Sequence, residues 1–457
     1  MQNVVLFLLL VLTTTMCKNS TPAPVIATET PELILKPAPE WSKNANIYEV
    51  NIRQYTPEGT INAFKAHLPR LKELGADILW LMPIFPVGAE NRKGSMGSPY
   101  AVKDYKAVNP DFGTTEDFKS FIDEAHAMGF KVILDWVANH SAFDNNWALE
   151  HKDWYTLDEA GNITYPKGTD WTDVADLNYD NEDMRKAMID ALEYWVRDLD
   201  IDGYRCDVAG DVPKDFWMEA IGNLNNLKDV FMLAEADEPW LHEAGFHMTY
   251  GWGFHHVMNA VAQGKEPVAK IEAYLKEDAE KYKPEDYRME FTTNHDENTW
   301  NGTISERMGA FGDAMNVLAF TVKGMPLIYS GQEAGLNKRV SFFEKDTIDF
   351  SDLSKSAFYA SLLKLKHENE SLWNGTYGAP ATRIPTSKDD SIFAFERAKG
   401  EQKVLVLLNL SKKNQSFSLT GYAEPTKMTD LFTGKEVDLE TKKSFTLGSG
   451  GYLVLTK

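Results

Sequence analysis

The stretch IDGYRCDVAG, residues 201–210, places an arginine and an aspartate two positions apart in a run that otherwise reads as a strand. Alternate side chains of a strand share a face, so Arg205 and Asp207 point one way and Tyr204 and Cys206 the other. Taken alone, the pair is equally a structural ion pair near a strand end or a carboxylate held ready for chemistry. Three other apolar runs end in similar residues: KVILDWV leads to Asn139 and His140, VFMLAE ends on Glu235, and RMEFTTNHD ends on His295 and Asp296. Acids and imidazoles in such places suit proton transfer and covalent attack.

Something must bring these distant residues together. From Trp41 onward, apolar runs of strand length alternate with longer amphipathic stretches, the pattern of parallel strands covered by helices. Strands are expected at 46–53, 76–83, 131–137, 201–207, 230–236, 247–252, 288–295 and 326–333, the sixth of them weak. Helices are expected between them at 115–129, 182–199 and 313–324, with 354–369 closing the set. Eight strand-helix units predict a (β/α)8 TIM barrel, whose functional side chains gather at the C-terminal ends of its strands.

The expected division is a catalytic barrel over 41–375, a small inserted subdomain over 141–175 after the third strand, and a C-terminal β-sandwich over 376–457. At the N-terminus, MQNVVLFLLLVLTTTMC reads as a secretory signal over 1–17 that is too short for a comfortable membrane span. Residues 18–40, rich in Thr and Pro, read as an extended tether. Beyond Cys17 the chain has one other cysteine, Cys206, so no disulfide within the mature domain is expected. A formal charge of -21 opposes nonspecific nucleic-acid binding.

The order and spacing of DWVANH, GYRCD, LAE and TTNHD make the chain resemble the α-amylase family, glycoside hydrolase family 13, from about Trp41 to the C-terminus. The resemblance implies that Asp207 is the nucleophile, Glu235 the general acid/base and Asp296 a third carboxylate gripping sugar hydroxyls. It implies that Arg205, His140 and His295 surround the reacting glucose, and that Tyr100, in GSPYAVKDY, stacks on it. DVADLN (173–178) and GMPLIYSGQE (324–333) match further family stretches. Trp171 and Trp252 are candidate platforms for sugar rings.

Retaining cleavage of a glycosidic bond needs one carboxylate to attack the anomeric carbon and one carboxylic acid to protonate the leaving oxygen, about 5–5.5 Å apart. Arg205 is expected to lower the pKa of Asp207, and apolar flanks and neighbouring acids to raise that of Glu235. The expected substrate is an α-1,4-glucan or maltooligosaccharide. Transglycosylation, or acceptance of α-1,6 bonds as Val208 suggests by resemblance, is the alternative, with a non-catalytic glucan-binding protein a third reading. No cofactor is expected for the chemistry. Asn139 and Asp176 match two ligands of a structural calcium in many relatives, although Gly210 and Asp211 stand where those relatives carry Lys and His. Cys17, directly after the N-terminal apolar run, resembles the cysteine of a bacterial lipoprotein signal, which predicts export and a lipid anchor in the bacterial envelope.

Overall fold

The computed structural model describes residues 35–422, 426–442 and 444–457. The signal segment and Cys17 lie outside the described residues, as does most of the expected tether. The last part of that tether, from Leu35, belongs to the barrel instead: Lys36 pairs with Asp229 at 2.6 Å, the Lys36 carbonyl meets His247 Nε2 at 3.1 Å, and Ala38 packs against the barrel interior.

Among the described residues, eight parallel strands close into a barrel in chain order: β1 (Ile47–Val50), β2 (Ile78–Leu81), β3 (Lys131–Val137), β4 (Gly203–Asp207), β5 (Phe231–Ala234), β6 (Met248–Tyr250), β7 (Tyr287–Glu290) and β8 (Met325–Tyr329). Each expected strand is present; β3 keeps its expected bounds and the others are shorter, β7 and β8 each starting one residue earlier than expected. Strand alternation sorts the apolar residues into two layers. Ile47, Ile78, Ile133, Leu233, Met289 and Leu327 fill the barrel interior, while Tyr48, Leu79, Val132, Tyr204 and Met232 join the larger core beneath the helices. Cys206 is a free thiol buried in that outer core.

The helices follow from their caps and apolar stripes. Thr114 and Asp117 form a reciprocal capping box at the head of Thr115–Ala127. Asn181 accepts from the Asp183 and Met184 N–H groups to start Glu182–Arg197, whose Met184, Met188, Leu192 and Trp195 are spaced to bury one face. At the entry to β4, Gly203 has φ +146°, and a Cβ there would lie 1.9 Å from the Phe231 carbonyl oxygen. A side chain at 203 would push β4 and β5 apart.

Two long excursions rise from the C-terminal rim of the barrel. One follows β2, between residues 82 and 114, and the other follows β3. The second is closed at its base by a two-stranded ribbon in which His140–Ser141 pairs with Ala175–Asp176. After the barrel, a six-stranded antiparallel sheet faces a two-stranded one, Gln415–Phe417 with Phe445–Leu447, around Ile392, Leu405, Leu407, Phe417, Phe445 and Leu455. Arg397 of the larger sheet is fully buried at the seam with the barrel, donating to the carbonyls of Ala379 (2.7 Å) and Val322 (2.6 Å). No helix among the described residues is long and apolar enough to cross a membrane.

Candidate active site

Register brings the acids to one rim. Cys206 pairs with Ala234 and Val137 with Asp207, so Asp207 and Glu235 follow one another at the ends of adjacent strands, next to the end of β3. A cleft of about 490 Å³ opens there, lined by Tyr100, His140, Asp207, Glu235, His295 and Asp296, with Trp171, Val208 and Trp300 on its walls. Arg205 lies directly beneath, with no solvent exposure. Its Nη1 donates to Asp207 Oδ1 at 2.9 Å and to Asp135 Oδ1 at 2.7 Å, and its Nη2 is 2.8 Å from Glu235 Oε2. Nε donates to the Tyr250 hydroxyl at 3.2 Å, and the guanidinium lies 5.0 Å from the centre of the Trp80 ring.

A second cation completes the floor. His295 Nδ1 meets Glu49 Oε1 at 2.5 Å, and its Nε2 is 3.2 Å from Asp296 Oδ2 and 2.8 Å from the Tyr100 hydroxyl. The Tyr100 hydroxyl also donates to Asp135 Oδ2 at 3.0 Å, and its ring stacks between His295 and Phe342. Asp135 and Glu49, both fully buried, went unread in the sequence analysis, although a carboxylate inside KVILDWV and another inside NIYEVNIR were visible there.

Five carboxyl groups thus share two cations, and the imbalance fixes protonation. Burial pushes Glu235 up to about 8, with Arg205 opposing and Asp207 and Asp296 adding to the rise. Burial also raises Asp207, to about 6, against Arg205 and with Asp135 and Asp296. Arg205 lowers Asp207 as expected, by its charge and its hydrogen bond, but burial together with Asp135 and Asp296 outweighs it, so the net shift is upward. Burial acts to raise Asp296, but the charge and hydrogen bond of His295 outweigh it and hold Asp296 below the ordinary range. For His295, burial disfavours the charged ring, yet Asp296 and Glu49 keep its pKa well above normal. Near neutral pH the site therefore holds Glu235 as the acid beside ionised Asp207 and Asp296.

The proton on Glu235 has a defined place. Oε2 accepts from the Val208 N–H at 3.0 Å and faces Arg205, which leaves Oε1 to carry it. That amide is aimed by an unusual backbone: Val208 has φ 38° and ψ 45°, the left-handed region that a β-branched residue seldom occupies. His140 lines the cleft as a neutral ring, its pKa pushed down to about 3 by burial. Trp171 packs 5.6 Å from it. Trp252 does not reach the cleft; it packs on Tyr250 and Phe291 at the head of the helix after β6.

Asn139 and Asp176 are brought close by the ribbon, since His140 pairs with Asp176. Burial raises Asp176, and the neighbouring Asp211 adds to the rise. The Asn139 side-chain amide lies 3.2 Å from His140 Nδ1. Among the described residues no cluster of three or more His, Cys, Asp or Glu is arranged to hold a metal ion, and calcium takes six to eight oxygen ligands. Carboxylates alone do not make up that set at Asn139 and Asp176, and the chemistry of the cleft is derived from its side chains.

The model of the alpha amylase catalytic domain matches residues 39–369, and that of the maltogenic amylase C-terminal domain matches 383–454. The chain belongs to the α-amylase family. Among members of the α-amylase family, alpha-amylase MalA of Haloarcula japonica is 30% identical over 420 residues, covering 87% of this chain; the chain spans 59% of MalA's own length. The crystal structure of maltogenic alpha-amylase AmyB from Thermotoga neapolitana superposes with a TM-score of 0.82 at 29% identity, covering 91% of this chain and 99% of that one. An alpha-amylase from Lactobacillus plantarum gives the same TM-score and coverage at 30% identity.

Proposed function

We propose that this protein hydrolyses α-1,4-glucosidic bonds in starch-type glucans or maltooligosaccharides with retention of configuration. The observation that carries the reading is the pair Asp207 and Glu235 on adjacent strand ends, bridged by Arg205 and separated in proton affinity, about 6 against about 8. Asp207 attacks the anomeric carbon as the bond to the leaving oxygen breaks and Glu235 passes its proton to that oxygen. Once Asp207 is esterified its negative charge is gone, and with it one of the influences that raises Glu235. Glu235 then serves as a base: it takes a proton from water, the oxygen attacks the anomeric carbon, and Asp207 is released as a carboxylate. Asp296, ionised beside His295, is placed to bind sugar hydroxyls and to favour positive charge on the ring.

Proton NMR of the first product released from a maltooligosaccharide tests this reading. The α-anomer is expected first; a β-anomer would overturn retention. Val208 on the cleft wall supports a second reading, acceptance of α-1,6 bonds, which digestion of pullulan and isomaltose checks. Products longer than the starting sugar would instead identify transglycosylation. Binding without any bond cleavage would favour the non-catalytic reading, against which the gathered acids argue. The N-terminal segment supports export with a lipid on Cys17; palmitate failing to label Cys17 in a bacterial host would exclude the anchor.

A further inference from the structure

The rim of the cleft is built differently on its two sides. Toward β5 stands Glu235, the group that protonates the leaving oxygen, so the leaving part of the substrate lies on that side. Across the mouth, loops after β1, β2, β3 and β8 are stitched into one strap. Lys93 of the β2 excursion lies 3.0 Å from Asp173 Oδ1 and donates to the Asp170 carbonyl at 2.9 Å, joining the β3 excursion. Two residues on, the Ser95 N–H donates to Glu344 Oε1 at 2.9 Å and the Met96 N–H to the Phe343 carbonyl at 3.0 Å, joining the segment after β8. Arg53, following β1, donates to the carbonyls of Gly97 and Phe342 at 2.9 and 3.1 Å. Gly94 lies so near Phe343 that an added Cβ would stand 2.6 Å from the Phe343 Cβ.

Lys93, Asp170, Asp173 and Phe343 all line the same cleft as the three acids. The Asp173 side chain is 6% exposed and that of Lys93 34%, so the carboxylate end of the link is buried while the Lys93 end is partly open to solvent. We propose that the Lys93–Asp173 strap closes the glycone end of the cleft, so that the enzyme works from the non-reducing ends of chains and releases short products. A glucan running on past the strap would have to pass through the Lys93 contacts. This rests on the hydrolase reading for the direction of the chain, because Glu235 marks the leaving side.

The strap can be tested without turnover, using the Glu235→Gln protein and maltoheptaose carrying a bulky fluorophore at one end. A label on the reducing end is expected to leave Kd nearly unchanged. A label on the non-reducing end is expected to weaken binding by about tenfold or more. Adding Lys93→Ala should recover most of that loss, with circular dichroism showing the fold intact. Equal binding of the two labelled sugars, or no recovery in the Lys93→Ala protein, would overturn the strap. The wild-type protein on amylose gives a second readout: reducing ends should rise with little early fall in viscosity. Early long fragments would sink the proposal while leaving hydrolysis standing. Labelled sugars that bind as expected but are never cleaved by the wild type would sink the hydrolase reading alone.

Discussion

Arg205 and Arg397 are both sealed from solvent, yet their surroundings differ in kind. Arg205 faces Asp135, Asp207 and Glu235, and these acids outweigh burial and hold its pKa well above the ordinary value. Arg397 donates to backbone carbonyls of Ala379, Val322, Thr321 and Trp373, and burial pushes its pKa down to about 9. The same rigid fork of donors distributes charge at the mouth of the barrel and fills a seam between two domains. Removing the first should be read in chemistry, and removing the second in stability.

The largest effect expected is on the group that Arg205 serves. Asp207→Ala should lower kcat/KM by about 10⁴-fold or more, because the covalent route is lost. Undiminished hydrolysis would overturn its assignment as nucleophile. Arg205→Lys keeps a charge but loses the fork and should cost roughly 10²–10³-fold. Its pH profile gives a sharper test. In the wild type, kcat/KM should fall below about pH 6 as Asp207 gains a proton, and above about pH 8 as Glu235 loses one. With Lys in place of Arg205 both limbs should move to higher pH, since both acids lose part of their positive neighbour.

Arg397→Leu should reverse the pattern. It is expected to cost about 3 kcal/mol in denaturant unfolding, through carbonyls left without donors, with kcat/KM of the folded fraction unchanged within about twofold. A comparable loss of catalysis would break the contrast. The smallest effect concerns Glu235. Its folded pKa of about 8 is above the unfolded value of about 4.3, so the stability it contributes is full below pH 4.3 and is lost as pH rises to 8. Glu235→Gln does not titrate and should therefore become progressively more stable than the wild type as pH rises from 4 to 8, with nothing gained near pH 4. Equal stability of the two proteins across that window would contradict the raised pKa.

What could be read in advance follows the reach of local rules. Period-two patterning put Arg205 and Asp207 on one face, and apolar runs located every barrel strand, including the three-residue Met248–Tyr250. Glu49 and Asp135 escaped because their partners come from elsewhere: His295 is 246 positions from Glu49, and Arg205 is 70 from Asp135. Nothing local distinguishes such an acid from an accident of composition. The net rise of Asp207 escaped for a related reason: burial and the charge of Asp135 on β3 outweigh the lowering by Arg205, and neither is visible in the local sequence. Trp252 was misplaced because its neighbours Tyr250 and Phe291 claim the ring, and aromatic content does not say which face a ring will find. The strap was invisible for the same nonlocal reason, Ser95 and Glu344 being 249 positions apart.

Val208 carries a cost that the rest of the barrel must offset. A β-branched residue bent to φ 38° forfeits on the order of 1–3 kcal/mol, and glycine would relieve it at once. The relief would also unlatch the peptide plane that points at Glu235 Oε2, letting the acid swing between rotamers. Torsional tension next to Asp207 thus works as a latch on Glu235, and a more heat-resistant version relaxed at this bend would be expected to turn over more slowly.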